Sequence, residues 1–430
     1  MKHLKDPQVQ SRLTLVLGAF AVSTLALVSQ QEATQGTNIV LPVNQRGLAG
    51  TGTGPGGGGG IPVSIIDDST PIPPVGELGG PLFQLTGPDL DQWIRGRKLF
   101  DRDFHKSDGL GFPEMNADSC RACHQEPVIG GGGNLELNAS RYGNDGGGFG
   151  VFQDPPTGQA LSRFHPPFVA GREEYDPALA TQFVFEQRQT PPLFGVGLID
   201  AISDATILAN EDPTDADGDG IFGVARMVDV GGGMQEVGRY GWKGQIPLIS
   251  DFVRDAMAGE CGLTTEGNGR PFGARTDGDP VNDPEISITQ IDDMAFFINN
   301  LAAPPRGGNA NDPQVLNGEA LFGTVGCAKC HIPTLTGGLG PVDLYSDLLL
   351  HNIWPSNFRG MAEPGADVGF YQTPPLWGAK HSFPYMHDGR AETIEDAILL
   401  HDGEALAVRQ AYEALSATDK EAVLAFLNDL

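Results

Sequence analysis

The stretch Cys120-Arg121-Ala122-Cys123-His124 recurs later in the chain as Cys327-Ala328-Lys329-Cys330-His331. Both copies have the pattern C-x-x-C-H. In a helical turn, positions i, i+3 and i+4 share a face, so each copy places two thiols and one imidazole on the same side. Two thiols at this spacing can bond the two vinyl groups of one porphyrin, while the histidine lies under its iron. The sequence therefore predicts two covalently bound c-type haems, with His124 and His331 as iron ligands.

Chance and zinc are the alternatives to this interpretation. With 5 Cys and 9 His in 430 residues, composition yields one such pattern in about one sequence in a thousand. A single zinc site of four cysteines would require the two pairs to meet, and it would not require a histidine after each pair. The remaining cysteine, Cys261, is expected to be a small buried residue.

Length and charge limit the organisation and the partners. A chain of 430 residues accommodates two or three domains. The net charge of −28 and the pI near 4.5 disfavour binding to nucleic acid and to anionic membranes, and they favour a basic protein partner. A solvated acidic surface that only aids solubility is the alternative.

The N-terminal region, residues 1–30, has the pattern of an export signal or a membrane anchor. Basic residues precede an apolar run from Leu13 to Val28. A cleaved signal and a periplasmic or otherwise exported protein are expected, and an uncleaved segment would tether the protein to a membrane. Residues 31–85 are rich in Gly and Pro and are predicted to form a linker.

Helical periodicity predicts the elements that enclose each C-x-x-C-H motif. Apolar residues recur at helical spacing in 89–100 and in 286–301. A closing helix is expected at 418–430, with Thr418 as its N-cap. The predicted fold is mainly α, with two tandem cytochrome c-like haem domains and long loops. The boundaries are 86–306 for the N-terminal haem domain and 307–430 for the C-terminal haem domain.

A second repeat follows each motif in the same order. The segments Gln189–Gly195 (QTPPLFG) and Gln372–Gly378 (QTPPLWG) match at six of seven positions. Two Pro-Pro segments alone would indicate only rigid turns. Their repetition in register with the C-x-x-C-H motifs indicates two related units, and each segment is predicted to form a wall of a haem pocket.

An acidic loop between the two units carries carboxylates at Asp215, Asp217 and Asp219. This spacing resembles the start of a calcium loop. Position 12 of the loop is Arg226, where an EF-hand requires Glu, so an EF-hand is excluded. A looser calcium site and a solvated acidic turn remain as alternatives.

The order of several motifs resembles the bacterial di-haem oxidoreductase family, whose members are also labelled peroxidases or thiol oxidoreductases. That family is similar to the di-haem cytochrome c peroxidases and to MauG-type proteins. The resemblance covers about residues 90–430. Besides the two C-x-x-C-H copies and the second TPPLWG, it is carried by Tyr345-Ser346-Asp347-Leu348-Leu349-Leu350-His351, His387-Asp388-Gly389-Arg390 and His401-Asp402-Gly403-Glu404-Ala405.

The resemblance implies a sixth ligand for the C-terminal haem. In the peroxidase relatives it lies fourteen residues after the histidine of the HDG motif, which here is His401. The relatives have Met or Tyr at this place, so a histidine is a departure, and it lowers the expected potential. The N-terminal unit has no HDG segment, and its sixth-ligand candidates are His105, His165 and several methionines. Trp242 is the candidate for the aromatic ring that lies between the haems of the relatives.

These features predict an exported di-haem c-type cytochrome oxidoreductase with peroxidase-like activity. The N-terminal haem would be the reactive one, and the C-terminal haem would relay electrons. Glu186, Gln187 and Arg188 are candidates for the polar groups that move a proton at the reactive site. The expected partners are a redox protein, as electron donor or acceptor, and a small oxidant such as peroxide. A non-catalytic di-haem electron-transfer protein is the alternative, and an oxygenase for an apolar substrate is a third hypothesis.

Overall fold

The computed structural model describes residues 66–111, 115–143, 184–266 and 279–430. All of them belong to one compact unit, Leu41–Leu430. The export segment, most of the expected linker and His165 lie outside the described residues. The helices of the described residues are α1 (Pro88–Asp101), α2 (Cys120–Cys123), α3 (Val196–Asp200), α4 (Asp204–Leu208), α5 (Ile249–Glu260), α6 (Ile288–Asn299), α7 (Pro313–Val325), α8 (Ile394–Leu399), α9 (Leu406–Glu413) and α10 (Ala417–Asp429).

The strands form short antiparallel ribbons rather than one sheet. In the described parts of the chain they pair as β1 (Ala139–Gly143) with β2 (Val184–Arg188), β3 (Met227–Gly231) with β4 (Met234–Val237), β5 (Leu335–Gly337) with β6 (Gly340–Val342), and β7 (Leu350–Asn352) with β8 (Phe370–Gln372). Of the described residues, 35% are helical and 13% are in strands, which agrees with the predicted mainly α class.

Helices α1 and α6 pack against each other beside the first C-x-x-C-H motif. Pro88 and the acidic residues of the first turn favour the start of α1. The rings of Trp93 and Phe100 lie 5.2 and 5.4 Å from that of Phe297 on α6. Gly96 allows this approach, because a Cβ atom there would lie 2.0 Å from the backbone oxygen of Asp293.

Helices α7 and α10 repeat this arrangement beside the second motif. A Cβ atom at Gly318 would lie 1.9 Å from the backbone oxygen of Ala422. Four residues later, the ring of Phe322 lies 5.4 Å from that of Phe426 and 6.3 Å from that of His331. The equivalent distance in the first unit, between the rings of Phe100 and His124, is 6.1 Å. The internal repeat seen in the sequence therefore has a counterpart in helix packing.

Two hydrophobic clusters of unequal size support these helix pairs. The larger one is built around α1, α5 and α6, and it also receives buried side chains from residues 335–349. The smaller one surrounds α7 and α10. Cys261 is 3% exposed and lies in the larger cluster, as expected. Because residues 335–349 directly follow the second C-x-x-C-H motif, that motif is anchored to the larger cluster as well.

The N-cap residues explain where α10 and α6 begin in the structure. Helix α10 begins two residues earlier than expected, because Ser416 rather than Thr418 is the N-cap; its Oγ accepts a hydrogen bond of 3.2 Å from the Asp419 N–H. Helix α6 begins after Ser287, which forms a capping box with Gln290.

Residues 66–85, assigned from sequence to the linker, are packed on the folded body. The Ile66 N–H donates to the carboxylate of Asp101, at 2.7 Å, and the Leu82 N–H donates to the carbonyl of Asn300, also at 2.7 Å. Ile66 and Leu85 are both buried. A search of the described residues identifies no helix with the length and apolar character that a membrane span requires.

Candidate haem centres

The second C-x-x-C-H motif opens into a mostly apolar cavity between α7, α8, α9 and α10. Cys327, Cys330 and His331 line it together with His401. The His331 N–H donates to the carbonyl of Cys327, at 3.0 Å, so the motif keeps the single helical turn that the spacing predicts. Neither cysteine forms a disulfide with another described residue.

His331 and His401 are oriented in the same manner. The Nδ1 atom of His331 lies 3.0 Å from the Tyr345 carbonyl, and that of His401 lies 2.7 Å from the Ala397 carbonyl. A ring that donates through Nδ1 keeps Nε2 as its ligand atom. Burial lowers the pKa of His331 to about 4 and lowers that of His401 as well. Burial therefore favours the neutral form of both imidazoles, which is the form that ligates iron.

The second Pro-Pro segment lies where the sequence predicted a wall. Gln372, Thr373, Pro374 and Leu376 line this cavity. The segment is held because the Gln372 side chain donates to the carbonyls of Gly238 and Leu348, at 3.1 and 2.9 Å. The cavity thus combines two cysteines outside any disulfide, two buried imidazoles and an apolar wall, a set of residues that fits a covalently attached haem.

In the first motif, the contacts of His124 are the informative ones. The Nδ1 atom of His124 lies 3.1 Å from the Gly131 carbonyl. Burial lowers the pKa of His124 to about 4, while hydrogen bonds with the carbonyls of Gly131 and Pro191 oppose this shift. Pro191 belongs to the first Pro-Pro segment, which therefore contacts this motif. Sulphur atoms of Cys120 and Met294 lie 3.7 Å apart.

His105, one of the candidate sixth ligands, follows Phe104, which bonds to the segment just before this motif. The Phe104 N–H donates to the Asp118 carbonyl, at 2.7 Å. The Nε2 atom of His105 is buried and has no hydrogen-bond partner among the described residues. Ligation of the N-terminal haem by His105 stays a prediction.

Trp242 joins the two Pro-Pro segments. Its indole N–H donates to the carbonyl of Gln189, at 2.7 Å, and its own carbonyl accepts from the Gln372 N–H, at 2.8 Å. It also lines the cavity of the second motif. The two glutamines are equivalent positions of the sequence repeat, so Trp242 lies at the contact between the two units.

Of the three candidate polar residues, Glu186 and Arg188 form a buried ion pair on β2. Arg188 also pairs with Glu363, at 3.2 Å, and Glu363 pairs with Arg226, at 2.9 Å. Gln187, on the same strand, pairs in register with Ser140 of β1. Strand β2 continues into Gln189, whose N–H donates to the carbonyl of His387, at 2.7 Å. The structure thus brings Glu186 and Arg188 to the contact between the units.

Sequence reasoning did not single out Tyr371 and Lys243, which complete this buried group. The Tyr371 hydroxyl donates to Glu186 Oε2, at 2.9 Å, and the Tyr371 ring stacks on that of His387 with centroids 3.9 Å apart. The ammonium of Lys243 donates to the carbonyls of Asp367 and Phe370, each at 2.8 Å. No local pattern marks these residues, because their partners are distant in the chain.

A second unpredicted group lies beside Cys330. The His351 ring lies 2.8 Å from a carboxylate oxygen of Asp347 and 3.1 Å from one of Glu404. Burial alone would lower the pKa of His351, but hydrogen bonds to Asp347, Cys330 and Glu404 outweigh burial and raise it well above its ordinary value. The sequence signal was present in the YSDLLLH and HDGEA motifs, which carry these three side chains.

The acidic loop differs from the expected calcium set. The carboxylates of Asp212, Asp215 and Asp217 come within 4.8 Å of one another, whereas Asp219 pairs with Lys329, at 2.9 Å. The expected trio of Asp215, Asp217 and Asp219 therefore does not converge as a set. Calcium binding at this loop stays a prediction.

The fold and these sites define a class, namely mainly helical proteins with two C-x-x-C-H centres. A family model described as "Di-haem oxidoreductase, putative peroxidase" matches residues 177–430. This match covers more than half of the chain, so the protein belongs to the di-haem oxidoreductase family. Two haem cofactors and an oxidoreductase function follow from membership.

The curated relative that the chain matches has a low sequence identity to it. The chain is 27% identical over 155 residues to "Cytochrome-c peroxidase IdrP1" of Pseudomonas sp. (strain SCT), and the match covers 28% of this chain and 41% of that protein. The chain thus spans about two fifths of the length of that curated relative.

Two solved structures also resemble the chain, each with 16% identity. A MauG-like protein associated with microbial copper homeostasis has a TM-score of 0.41, with 85% of this chain and 94% of the other covered. Hydrazine synthase of Kuenenia stuttgartiensis has a TM-score of 0.40, with 87% and 100% covered.

Proposed function

We propose that this protein is an exported di-haem oxidoreductase that reduces a small oxidant such as peroxide with electrons from a redox partner protein. Each C-x-x-C-H motif attaches one haem through thioether bonds. The haem on Cys120 and Cys123 is the reactive centre, and the haem on Cys327 and Cys330 relays electrons. The observation that carries the proposal is the cavity shared by His331 and His401, whose Nδ1 atoms are both tied to backbone carbonyls.

This observation supports unequal centres. If His331 and His401, which line one cavity, both ligated the C-terminal haem iron, that centre would favour electron relay at a low potential. In the first unit, His124 is the histidine of the C-x-x-C-H motif. No histidine equivalent to His401 follows the first Pro-Pro segment in the sequence. When bound, the haem of the first motif would supply the redox chemistry that cleaves a peroxide bond.

The chain's own residues would move protons and electrons around that centre. Glu186, Gln187 and Arg188 remain our candidates for the proton-moving groups, because β2 leads directly into the Gln189–Pro191 segment that contacts the first motif. Trp242 is our candidate for the electron bridge, since it is hydrogen-bonded to both Pro-Pro segments. The strongly acidic surface favours a basic partner protein.

Removing the proposed sixth ligand tests this assignment. In the purified holoprotein, His401→Ala should convert one low-spin haem to high spin, as followed by optical and electron paramagnetic resonance spectra. His381→Ala is a matched control, because His381 lies outside the residues that line the cavity. Unchanged spectra in the His401 variant would remove the ligand assignment.

Ligand binding distinguishes the proposed enzyme from a simple electron carrier. Cyanide added to the wild type should perturb one haem, and a variant that retains only the haem on Cys120 and Cys123 should bind cyanide as well. If neither haem binds cyanide, even after partial reduction and reoxidation, the protein is a non-catalytic electron-transfer protein.

A further inference from the structure

Tyr371 connects the two halves of the chain through a buried hydrogen bond. It lies on β8, is 6% exposed, and donates to Glu186 Oε2 across a separation of 185 residues in sequence. The same carboxylate oxygen accepts from the Met361 N–H, at 2.8 Å, and Arg188 pairs with Glu186. The phenol therefore has a fixed carboxylate as its hydrogen-bond acceptor.

The ring of Tyr371 faces the cavity of the second motif. Tyr371, His387 and Trp354 all line that cavity. The Trp354 ring lies edge-on to the rings of both Tyr371 and His387, with centroids 6.2 and 5.2 Å apart. Tyr371 therefore borders the cavity with its ring and bonds to a carboxylate with its hydroxyl. Such a side chain can exchange an electron with a group in the cavity and a proton with the carboxylate.

Two cations near the Tyr371 ring favour a neutral radical over a radical cation if this side chain is oxidised. The Arg188 guanidinium lies 5.5 Å and the Lys243 ammonium 4.4 Å from the ring centroid. Cations at this distance stabilise the electron-rich ring and oppose positive charge on it. Loss of an electron alone is thus disfavoured, and loss of an electron together with the phenolic proton is favoured.

We propose that Tyr371 is a redox-active residue of the di-haem pair, with Glu186 as its proton acceptor. This inference rests on the proposed function, in which peroxide is the oxidant. Once peroxide has oxidised the haem pair, Tyr371 gives one electron to it and its O–H proton to Glu186. The products are a neutral tyrosyl radical, a neutral carboxylic acid and a haem pair reduced by one equivalent. An electron from the partner protein reverses the step, and Glu186 returns the proton.

Tyr412 is a matched control within the same cavity. It also lines the cavity, is also buried and donates to a carboxylate, Glu395, at 3.1 Å. It packs in the smaller cluster around α7 and α10, and its acceptor lies only 17 residues away on α8. It therefore offers the same phenol chemistry without the connection to β2.

The experiment mixes the holoprotein with hydrogen peroxide, freezes it within milliseconds and records electron paramagnetic resonance spectra with and without ring-deuterated tyrosine. A radical whose hyperfine splitting changes on deuteration is expected in the wild type and in Tyr412→Phe. It should be lost in Tyr371→Phe. A radical that persists in Tyr371→Phe, or one that deuteration does not alter, would overturn the inference.

The role of Glu186 has its own comparison. Glu186→Gln removes the proton acceptor and should slow radical formation by about 10²-fold or more, with a larger solvent isotope effect. Glu363→Gln removes the same charge from the same ion-pair group without touching the phenol, so it should leave the rate near that of the wild type. Equal rates in the two variants would contradict the assignment of Glu186.

Haem content and optical spectra separate the two levels of failure. If peroxide changes the haem spectrum but no radical forms on Tyr371, this inference is wrong while the proposed function stands. If peroxide leaves the haem spectrum of the wild type unchanged, the proposed function is wrong, and the inference is wrong with it.

Discussion

Replacing Gly318 by alanine should destabilise the C-terminal part of the protein, although alanine is the better helix former. Gly318 lies where α7 crosses α10. A Cβ atom there would be 1.9 Å from the Ala422 backbone oxygen and 2.8 Å from the Phe426 Cβ. Gly323, on the same helix, has nothing within 4 Å of such an atom. Gly323→Ala is therefore the matched control.

The magnitude follows from the displacement that the new methyl group requires. The helices must separate by about 1 Å, and overpacking of this kind costs about 1–3 kcal/mol. The separation also weakens the contact between Phe322 and Phe426, whose centroids lie 5.4 Å apart, and such contacts contribute about 0.5–1.5 kcal/mol. The higher helix propensity of alanine returns about 0.5–1 kcal/mol. We expect Gly318→Ala to lose about 2 kcal/mol and Gly323→Ala to gain up to about 1 kcal/mol.

Thermal unfolding of the holoproteins, followed by far-ultraviolet circular dichroism and by the Soret band, measures the difference. At about 2–4 °C per kcal/mol, the midpoint of Gly318→Ala should fall by about 4–8 °C, and that of Gly323→Ala should rise by about 2 °C. The Soret band of the haem held by His331 should change in Gly318→Ala, because Phe322 contacts this histidine. Equal midpoints for the two variants would refute the close-packed crossing.

Three further predictions concern the cap of a helix, a buried cation and the attachment sites. Ser287→Ala removes the N-cap of α6 and should lower the free energy of unfolding by about 1 kcal/mol in urea titrations; no change would mean that the capping box is not formed in solution. Burial lowers the pKa of Lys243 from 10.5 to about 8. The folded protein therefore releases this proton before the unfolded chain does, so stability should rise with pH between these values, by at most about 3 kcal/mol. Lys243→Met should lack this rise, and a pH-independent difference between variant and wild type would contradict the assignment. Replacement of both Cys327 and Cys330 by Ala should leave one covalent porphyrin instead of two by intact mass, and a bare polypeptide in the wild type would rule out covalent attachment.

Local features of the chain were accessible from the sequence. The C-x-x-C-H spacing depends on one helical turn, and the His124 and His331 N–H groups close that turn as expected. Helix α1 was predicted at nearly its observed bounds, because apolar spacing and an N-terminal proline act within one element. The resemblance that predicted His401 as an iron ligand depended on a fixed spacing from His387, and the structure shows that His401 lines the same cavity as His331.

Residue type and spacing did not decide two local details, in each of which neighbouring residues compete for one role. Ser416 and Thr418 are both good N-caps by residue type, and only the path of the preceding chain selects Ser416. The three acidic residues of the loop at 215–219 could all serve a cation by spacing, but Lys329 comes from a distant segment and pairs with Asp219. In both cases the tertiary structure, and not the residue type, decided which side chain makes the contact.

The sequence by itself determined the family, through its ordered motifs, and the principal helices, because helical periodicity depends on residues within a few turns of one another. Only the tertiary structure decided which side chains meet at the contact between the two units. Glu186 and Tyr371 are separated by 185 residues and share one hydrogen bond. Trp242 bonds two segments that the sequence shows only as repeats. Such contacts depend on how the helix pairs pack, and that packing requires the close approach seen at Gly96 and Gly318.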